Sequence, residues 1–189
     1  MLTKQEEKKI SKFLSLVLRH RPEQIDLQLA TGGWVAIPTL ITQYNKHKTT
    51  PITREILEQV VANNDKKRFT IDHQQDLIRA NQGHSVTVDL QLQPKEPPHH
   101  LYHGTAEKWL SIIFEEGLKK MNRHHVHLSK DTTTAQKVGA RKGKVVLLQV
   151  AAQTMYEAGF TFYESENGVW LVDQVPAQFL THISIDNQV

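Results

Sequence analysis

The sequence has no cysteine among its 189 residues. This absence excludes a disulfide framework, thiolate zinc sites, iron–sulfur clusters and catalysis by a cysteine nucleophile. Long apolar runs are also missing, since no stretch approaches the roughly 18 apolar residues that a membrane-spanning helix needs. The charged segment at residues 1–7 lacks the apolar core of a signal peptide. We therefore expect a cytoplasmic protein.

The charged residues are divided unevenly between the two halves of the chain. The formal net charge is +3, and hydrophobic and charged residues make up 39% and 23%, a balance typical of globular proteins. Residues 1–93 contain 13 Lys and Arg and 10 Asp and Glu, whereas residues 94–189 contain 10 of each class and 7 of the 11 histidines. The basic excess therefore lies in the first half, and most imidazoles lie in the second.

A proline-rich stretch marks a break in the chain. Pro94, Pro97 and Pro98 fall within five positions and disfavour both a helix and a central strand there. We therefore predict two lobes, at residues 1–93 and 100–189, joined by a linker at residues 94–99.

The first lobe is predicted to contain three helices followed by a β-hairpin. Thr3 and Glu6 have capping-box spacing, so a first helix begins there and carries residues 19–21 in its last turn. Pro38 suits the first turn of a second helix, and Thr53 is placed to cap a third. Strands are predicted at residues 68–71, 77–80 and 86–92. This order of elements is typical of a winged-helix module.

The second lobe is predicted to be an α+β lobe with a small sheet. Gly117 is placed to end a helix, and Asn167-Gly168 predicts a hairpin turn. Strands are predicted at residues 101–104, 125–128, 145–150, 169–172 and 180–185, and helices at residues 108–116 and 133–138.

Basic residues form two clusters in the first lobe. Arg19-His20-Arg21 either complements the negative end of the first helix or binds an anion, because Arg offers a bidentate fork to phosphate. The cluster at residues 66–68 is either a solvated turn or a contact to a phosphate backbone. Arg79 and His84 follow on the same hairpin. Two clusters beside a wing favour nucleic acid as the partner of this lobe.

Histidines are concentrated in the second lobe. Tyr102-His103-Gly104-Thr105 is either a core histidine with a glycine turn or a pocket where glycine lets a ligand approach the backbone. In residues 123–129, His125 and His127 would face the same side of a strand. A His-x-His pair needs at least one more ligand to bind zinc, and no carboxylate stands at ligand spacing, so we expect no metal and instead polar residues facing a cleft.

Taken together, these residues resemble one enzyme family, the NAD-dependent RNA 2′-phosphotransferases. The resemblance extends from residue 11 to about residue 180, with the motifs in family order. The matching segments are SKFLSLVLRH (11–20), GWV (33–35), DKKRF (65–69), IRANQGHS (78–85), LYHGT (101–105), RHHVHLS (123–129) and ENGVWL (166–171).

The resemblance implies a winged-helix RNA-binding lobe followed by a lobe of the ADP-ribosyltransferase fold. It also implies a reaction in two steps. An internal RNA 2′-phosphate, as at a tRNA splice junction, attacks the nicotinamide ribose of NAD, which releases nicotinamide and leaves a 2′-phospho-ADP-ribosylated RNA. The neighbouring ribose hydroxyl then attacks phosphorus, giving 2′-OH RNA and ADP-ribose 1″,2″-cyclic phosphate.

The resemblance also implies roles for individual residues. The family's catalytic set corresponds to Arg19, His20, Arg68 and Arg123. NAD contacts are expected from His103, Gly104, Thr105, His127, Ser129 and Val169, and RNA contacts from Lys66, Arg79 and His84. Val169 stands where many ADP-ribosyltransferases have a catalytic Glu, which fits a phosphate nucleophile because it needs no general base. We expect a monomer that uses NAD as co-substrate.

Two alternatives from other classes remain open at this stage. One is a winged-helix DNA-binding regulator that senses NAD through its second lobe. The other is an ADP-ribosyltransferase that leaves ADP-ribose on a terminal phosphate of a nucleic acid or on protein.

Overall fold

The structure is a computed structural model that describes residues 2–184, with only the backbone described at Lys142. The chain is a mixture of helices and short strands. It divides into two compact units, with the boundary between Gln91 and Leu92. No helix among the described residues is long and apolar enough to cross a membrane.

The first unit begins with helix α1 (Lys4–Val17), whose start the sequence predicts correctly. The hydroxyl of Thr3 accepts a hydrogen bond from the amide of Glu6, and the Glu6 carboxylate accepts one from the amide of Thr3. These reciprocal contacts form a capping box, which satisfies backbone donors that the first turn would otherwise leave unpaired. One face of the helix is buried, with Leu14 and Val17 fully inaccessible.

Two further helices and a small sheet complete the first unit. The elements that follow α1 are β1 (Val35–Ala36), α2 (Ile37–His47), α3 (Arg54–Ala62), β2 (Phe69–Asp72) and β3 (Leu77–Ala80). Thr53 caps α3 by accepting from the amide of Ile56, as predicted. The strands form an antiparallel sheet in the order β1–β3–β2, which pairs the predicted hairpin. Leu40, Leu57 and Ile78 lie in one core with α1.

Two predictions for the first unit are wrong. Helix α1 ends at Val17 with Leu18 as its C-cap, so the basic residues 19–21 follow the helix and are not in its last turn. Residues 86–92 do not form a strand, although Leu90 is buried. The segment contacts a turn instead, because the amide of Gly32 donates to the carbonyl of Asp89, and Gln91 has φ of +53°. The alternation of apolar residues therefore reflects the packing of an irregular segment and not a strand.

The second unit contains two three-stranded antiparallel sheets. Its elements are β4 (Leu101–Ala106), α4 (Leu110–Glu116), β5 (Leu118–Lys119), β6 (Val126–Leu128), α5 (Thr132–Gly139), β7 (Val145–Val150), α6 (Ala152–Glu157), β8 (Phe162–Glu164), β9 (Trp170–Val172), β10 (Gln174–Val175) and β11 (Leu180–Ile183). One sheet has the order β11–β7–β4 and the other β6–β9–β8. Tyr102 and Ser129 exchange backbone hydrogen bonds, so β4 approaches the end of β6.

The buried strand β7 and the turn before β9 agree with the sequence predictions. β7 is the central strand of its sheet, and Leu148 on it is fully buried. Gly168 has φ of +75°, and the amide of Ser165 donates to the carbonyl of Val169 across the turn. A positive φ is the conformation that glycine adopts without a steric cost.

Other boundaries in the second unit differ from the predictions. β4 continues two residues past Gly104 to Ala106, where a 3₁₀ turn leads into α4. β6 begins at Val126, so His125 precedes the strand. The last strand ends at Ile183, so Ser184 of the predicted strand follows it, and Ile185 lies outside the described residues.

Residues 94–99, which the sequence predicts to be a linker, are part of the second unit. Pro94 forms a β-bridge with Tyr163, and the amide of Lys95 donates to the carbonyl of Phe162. The Lys95 ammonium pairs with Glu164 on β8. This stretch therefore follows the edge of the β6–β9–β8 sheet.

Candidate active site

Three residues of the predicted catalytic set lie together in the first unit. Arg19 and His20 follow the end of α1, and Arg68 immediately precedes β2. The Nη2 atom of Arg19 donates to the backbone carbonyl of Arg68 at 3.2 Å, although the two residues are 49 positions apart. Arg19 and Arg68 are half-buried and His20 is exposed. The fold thus brings Arg19, His20 and the backbone of Arg68 to the same end of α1.

Two residues that the site prediction did not include hold this cluster. The amide of Asn81 donates to the carbonyl of Arg68 at 2.9 Å, and its side-chain amide donates to the carbonyl of Lys67 at 2.7 Å. The hydroxyl of Ser85 lies 2.9 Å from Nδ1 of His20. Both residues belong to the segment IRANQGHS, which carries part of the family resemblance, so that segment was the available signal.

The three residues expected to contact RNA differ in their surroundings. Lys66 is exposed in the turn before β2. Arg79 is half-buried on β3, with its guanidinium stacked 4.5 Å from the Trp34 ring. His84 is only 1% exposed, and its Nε2 lies 3.2 Å from where a Cβ on Gly33 would be. The ring of His84 therefore packs inside the first unit, and the RNA contact expected of it stays a prediction.

In the second unit, Arg123 and His127 are hydrogen-bonded to each other. The Nη1 atom of Arg123 lies 2.8 Å from Nδ1 of His127. A guanidinium can only donate, so Nδ1 of His127 is the acceptor and lacks a proton. The backbone carbonyl of His127 in turn accepts from Nδ1 of His103 on β4, at 3.0 Å. One residue thus connects an exposed arginine to a histidine of the other sheet.

His125 does not share this arrangement. Its ring lies edge-on to Tyr163, with the centroids 5.5 Å apart. Burial lowers the pKa of His125 below its ordinary value, and the neighbouring His124 adds to this effect. His125 is therefore a neutral packing residue at neutral pH, while His127 is the histidine that contacts Arg123.

Two of the residues expected to contact NAD line a cavity of about 200 Å³ in the second unit. They are Ser129, at the end of β6, and Val169, before β9. The cavity is also lined by Leu128, Lys130, Asp131, Thr134, Asn167 and Gly168. Pockets for drug-sized ligands measure roughly 300–1,000 Å³, so this cavity is smaller than such a pocket. Its lining offers hydroxyl, amide, ammonium and carboxylate groups.

Gly104 and Thr105 occupy a more crowded position than the sequence predicted. A Cβ on Gly104 would lie 1.8 Å from the backbone carbonyl of Ala135 on α5. Thr105 on β4 is 4% exposed and pairs with Val146 on β7. A close approach that requires glycine is therefore made by helix α5, and the approach of a ligand to Gly104 stays a prediction.

A larger cavity of about 680 Å³ lies beside residues 95–99 of the second unit. Glu164 on its wall pairs with both Lys95 and Lys130. Burial raises the pKa of Glu164, but hydrogen bonds from Lys130 and Lys95 outweigh this effect and hold the pKa below its ordinary value. Across residues 2–184, no three His, Asp or Glu side chains are grouped as metal ligands.

Comparisons with known proteins identify the family. The model of the RNA 2′-phosphotransferase, Tpt1 / KptA family matches residues 5–174. The chain is 58% identical over 175 residues to the "Probable RNA 2′-phosphotransferase" of Nostoc punctiforme, covering 93% of this chain and 96% of the relative. It is 60% identical over 172 residues to the protein of the same name from Trichormus variabilis, covering 91% and 94% of the two chains.

A relative from a different bacterial group carries the same name. The protein from Flavobacterium johnsoniae is 53% identical over 173 residues, which cover 92% of this chain and 94% of the relative. These alignments span both compact units, as does the match to the family model. The chain therefore belongs to the RNA 2′-phosphotransferase family.

Proposed function

We propose that this protein is an NAD-dependent RNA 2′-phosphotransferase that removes an internal 2′-phosphate from RNA, as at a tRNA splice junction. The observation that carries the proposal is the hydrogen bond from Arg19 to the backbone of Arg68, which brings residue 68 beside Arg19 and His20 at one end of α1. Family membership supplies the substrate class. The proposal includes a winged-helix first lobe, an ADP-ribosyltransferase-like second lobe and a cytoplasmic location.

In the proposed first step, a phosphate oxygen of the RNA 2′-phosphate attacks the anomeric carbon of the nicotinamide ribose. The carbon–nitrogen bond to nicotinamide breaks, and its electron pair leaves with the neutral base. In the second step, the adjacent ribose hydroxyl attacks phosphorus and the bond from phosphorus to the RNA 2′-oxygen breaks. The RNA oxygen takes up a proton, and the phosphate departs as ADP-ribose 1″,2″-cyclic phosphate.

Arg19 and Arg68 are proposed to bind the 2′-phosphate. A phosphate dianion accepts bidentate hydrogen bonds from a guanidinium, and two such groups fix its orientation as well as its charge. In the second step negative charge accumulates on the equatorial oxygens of phosphorus, where preorganised donors lower the barrier most. His20 is proposed to donate a hydrogen bond or a proton to the phosphate through the ring nitrogen that Ser85 does not contact.

Arg123 is proposed as the fourth member of the catalytic set, acting from the second unit. Its exposed guanidinium is held by a hydrogen bond to His127 and keeps further N–H donors for a ligand.

NAD is proposed as co-substrate of the second unit. It would supply the electrophilic ribose carbon and the leaving nicotinamide. Ser129 and Val169 are proposed to contact it, because they line the cavity of about 200 Å³. His103 donates a hydrogen bond to the backbone carbonyl of His127, and both residues are proposed to lie on the border of this cavity. Gly104 and Thr105 are proposed only to shape the strand beneath, since both are buried.

The test is an incubation of the protein with NAD and an RNA oligonucleotide that carries one internal 2′-phosphate. The proposal expects release of nicotinamide together with loss of the phosphate, and it expects both to fall at least about 100-fold in R19A and in R68A. K46A is the control, because Lys46 is an exposed cation paired with Asp26 elsewhere in the first unit. Duplex DNA binding without NAD turnover would instead support a regulator. A stable ADP-ribosyl product would support a transferase acting on terminal phosphates.

A further inference from the structure

We propose that Ser85 is a positioning residue for His20, and that it sets which ring nitrogen of His20 meets the substrate phosphate. This inference rests on the proposed function. Ser85 does not belong to the Arg-His-Arg-Arg set, and the proposal concerns its effect on His20 alone.

The contacts of Ser85 reach two members of the catalytic set. Its hydroxyl lies 2.9 Å from Nδ1 of His20. Its amide donates to the backbone carbonyl of Arg19 at 2.9 Å, and the amide of Val86 donates to the same carbonyl at 3.4 Å. The side chain therefore fixes the imidazole, while the backbone fixes the chain that carries the imidazole. The contact between Ser85 and His20 joins residues 65 positions apart in the sequence.

The segment that carries Ser85 is itself anchored beside Arg68. Asn81 donates from its amide to the carbonyl of Arg68 and from its side chain to that of Lys67. Thr70 donates from its hydroxyl to the Asn81 side-chain oxygen at 2.7 Å, so the Asn81 amide group is fully oriented. Gly83 then turns the chain with φ of +84°, and Ser85 follows two residues later. The position of Ser85 is thus set by the same segment that holds Arg68.

A hydroxyl is suited to this role because it can both donate and accept. When His20 is neutral with its proton on Nε2, the Ser85 hydroxyl donates to Nδ1. When His20 is protonated on both nitrogens, the same hydroxyl accepts from Nδ1. In each case Nδ1 is occupied by Ser85 and Nε2 remains the nitrogen directed to the substrate. The imidazole therefore keeps one orientation in both protonation states.

The side chains of Ser85 and His20 are both exposed, so an effect on the orientation of His20 can be told apart from an effect on protein stability. An exposed hydrogen bond adds little to the free energy of unfolding because water competes for both partners. Its loss removes the contact that holds Nδ1 of His20, and misplacement of a catalytic group lowers the rate strongly. Removal of the hydroxyl is therefore expected to change catalysis without changing thermal stability.

The test compares S85A, S85T and T87A with the wild-type protein in the presence of NAD and the 2′-phosphorylated oligonucleotide. S85A is expected to lower kcat about tenfold with the KM for NAD and the melting temperature unchanged. S85T keeps a hydroxyl and is expected to recover most of the activity. T87A removes an exposed hydroxyl from the same segment and is the matched control.

A double-mutant cycle on RNA binding and an NMR measurement complete the test. The ratio of the affinities for 2′-phosphorylated and unmodified RNA is measured in the wild-type protein, S85A, H20A and the double variant. Binding is used because it stays measurable where turnover is lost. The proposal expects S85A to reduce this preference in the wild-type background and to have no further effect in H20A. It also expects ¹⁵N NMR of the His20 ring to show a shift at Nδ1 in S85A and none in T87A.

The role of Ser85 would be overturned if S85A kept the wild-type kcat. It would also be overturned if S85A reduced the preference for 2′-phosphorylated RNA equally in the wild-type and H20A proteins. Failure of the wild-type protein to remove any 2′-phosphate would instead refute the proposed function. In that event the NMR comparison still decides whether Ser85 orients the ring of His20.

Discussion

Arg123 donates a hydrogen bond from Nη1 to Nδ1 of His127 at 2.8 Å. Because the guanidinium cannot accept, this contact requires an unprotonated Nδ1 and leaves the proton of a neutral imidazole on Nε2. The pair lies on the segment RHHVHLS, whose resemblance to the family assigned Arg123 to catalysis and His127 to NAD. The structure makes the orientation of the first residue depend on the second.

Substitution of His127 is expected to impair the reaction through Arg123. H127F removes the acceptor while keeping a planar ring, and we expect activity to fall about tenfold because the guanidinium is no longer held. H127N places a side-chain oxygen where Nδ1 stood, and we expect it to retain more activity than H127F. Steady-state kinetics with saturating NAD measure the difference.

H127Q is the matched control for this comparison, because its longer side chain places the amide where Nε2 stood. Equal activities in H127N and H127Q would contradict the role of the Nδ1 contact. R123K is expected to stay poorly active as well, since a lysine keeps the charge but loses the planar fork. Near-normal activity of R123K would refute a bidentate role for Arg123.

Substitution of Lys66 is expected to weaken RNA binding without altering the chemistry. Lys66 is exposed in the turn before β2. If it contacts a phosphate, K66A should lower affinity for all RNA sequences alike and reduce the slope of log K against log salt by about 1. Titrations at several salt concentrations measure this, with K46A as the control. An unchanged salt slope in K66A would remove Lys66 from the RNA-binding surface.

Substitution of Gly104 by alanine is expected to destabilise the second unit severely. The added Cβ would lie 1.8 Å from the carbonyl of Ala135, so α5 would have to move away from β4. We expect a loss of at least about 3 kcal/mol in the free energy of unfolding. G168A is the control: Gly168 has φ of +75° but open space around it, so strain alone should cost about 1–2 kcal/mol. Similar losses in both variants would contradict the packing argument.

The two lysine pairs of Glu164 are expected to make stability depend on pH. Lys130 and Lys95 lower its pKa on folding, so the stabilisation is present above the unfolded value of about 4.3 and is lost as the pH falls through the lower folded value. E164Q should therefore be less stable than wild type at pH 7, by roughly 1 kcal/mol because the lysines are exposed. Denaturant unfolding should show this difference shrinking as the pH falls below about 4.

E116Q is the control for the effect of Glu164. Glu116 pairs with Lys119, and both side chains are about half exposed. An exposed pair of this kind contributes little, so E116Q should remain close to wild type at every pH. A pH-independent difference between E164Q and wild type would show that packing, and not charge, accounts for the role of Glu164.

Local signals in the sequence predicted much of the fold. Thr3 with Glu6 and Thr53 each marked the start of a helix, because a side-chain cap depends on residues only three positions apart. The apolar run at β7 and the turn at Asn167-Gly168 were equally local. The strand predicted at residues 86–92 is wrong, because alternating apolar residues indicate which side chains are buried but not which backbone groups pair with one another.

The candidate site depended on contacts that no local pattern encodes. Arg19 and Arg68 came from family resemblance, whereas the hydrogen bond between them joins residues 49 positions apart. Ser85 and Asn81 lie in a segment that carries family resemblance, but their contacts to His20 and Arg68 are visible only in the fold. The burial of His84 beneath Gly33 is likewise a property of tertiary packing.

The central claim is that the 2′-phosphate of the RNA ends on a fragment of NAD. The most direct measurement follows an RNA oligonucleotide whose single internal 2′-phosphate carries ³²P, with NAD present or absent. The account predicts that the label leaves the RNA only with NAD, appears in a small ADP-ribose cyclic phosphate, and matches the nicotinamide released mole for mole. Release of the label as inorganic phosphate, or its loss without NAD, would contradict the account.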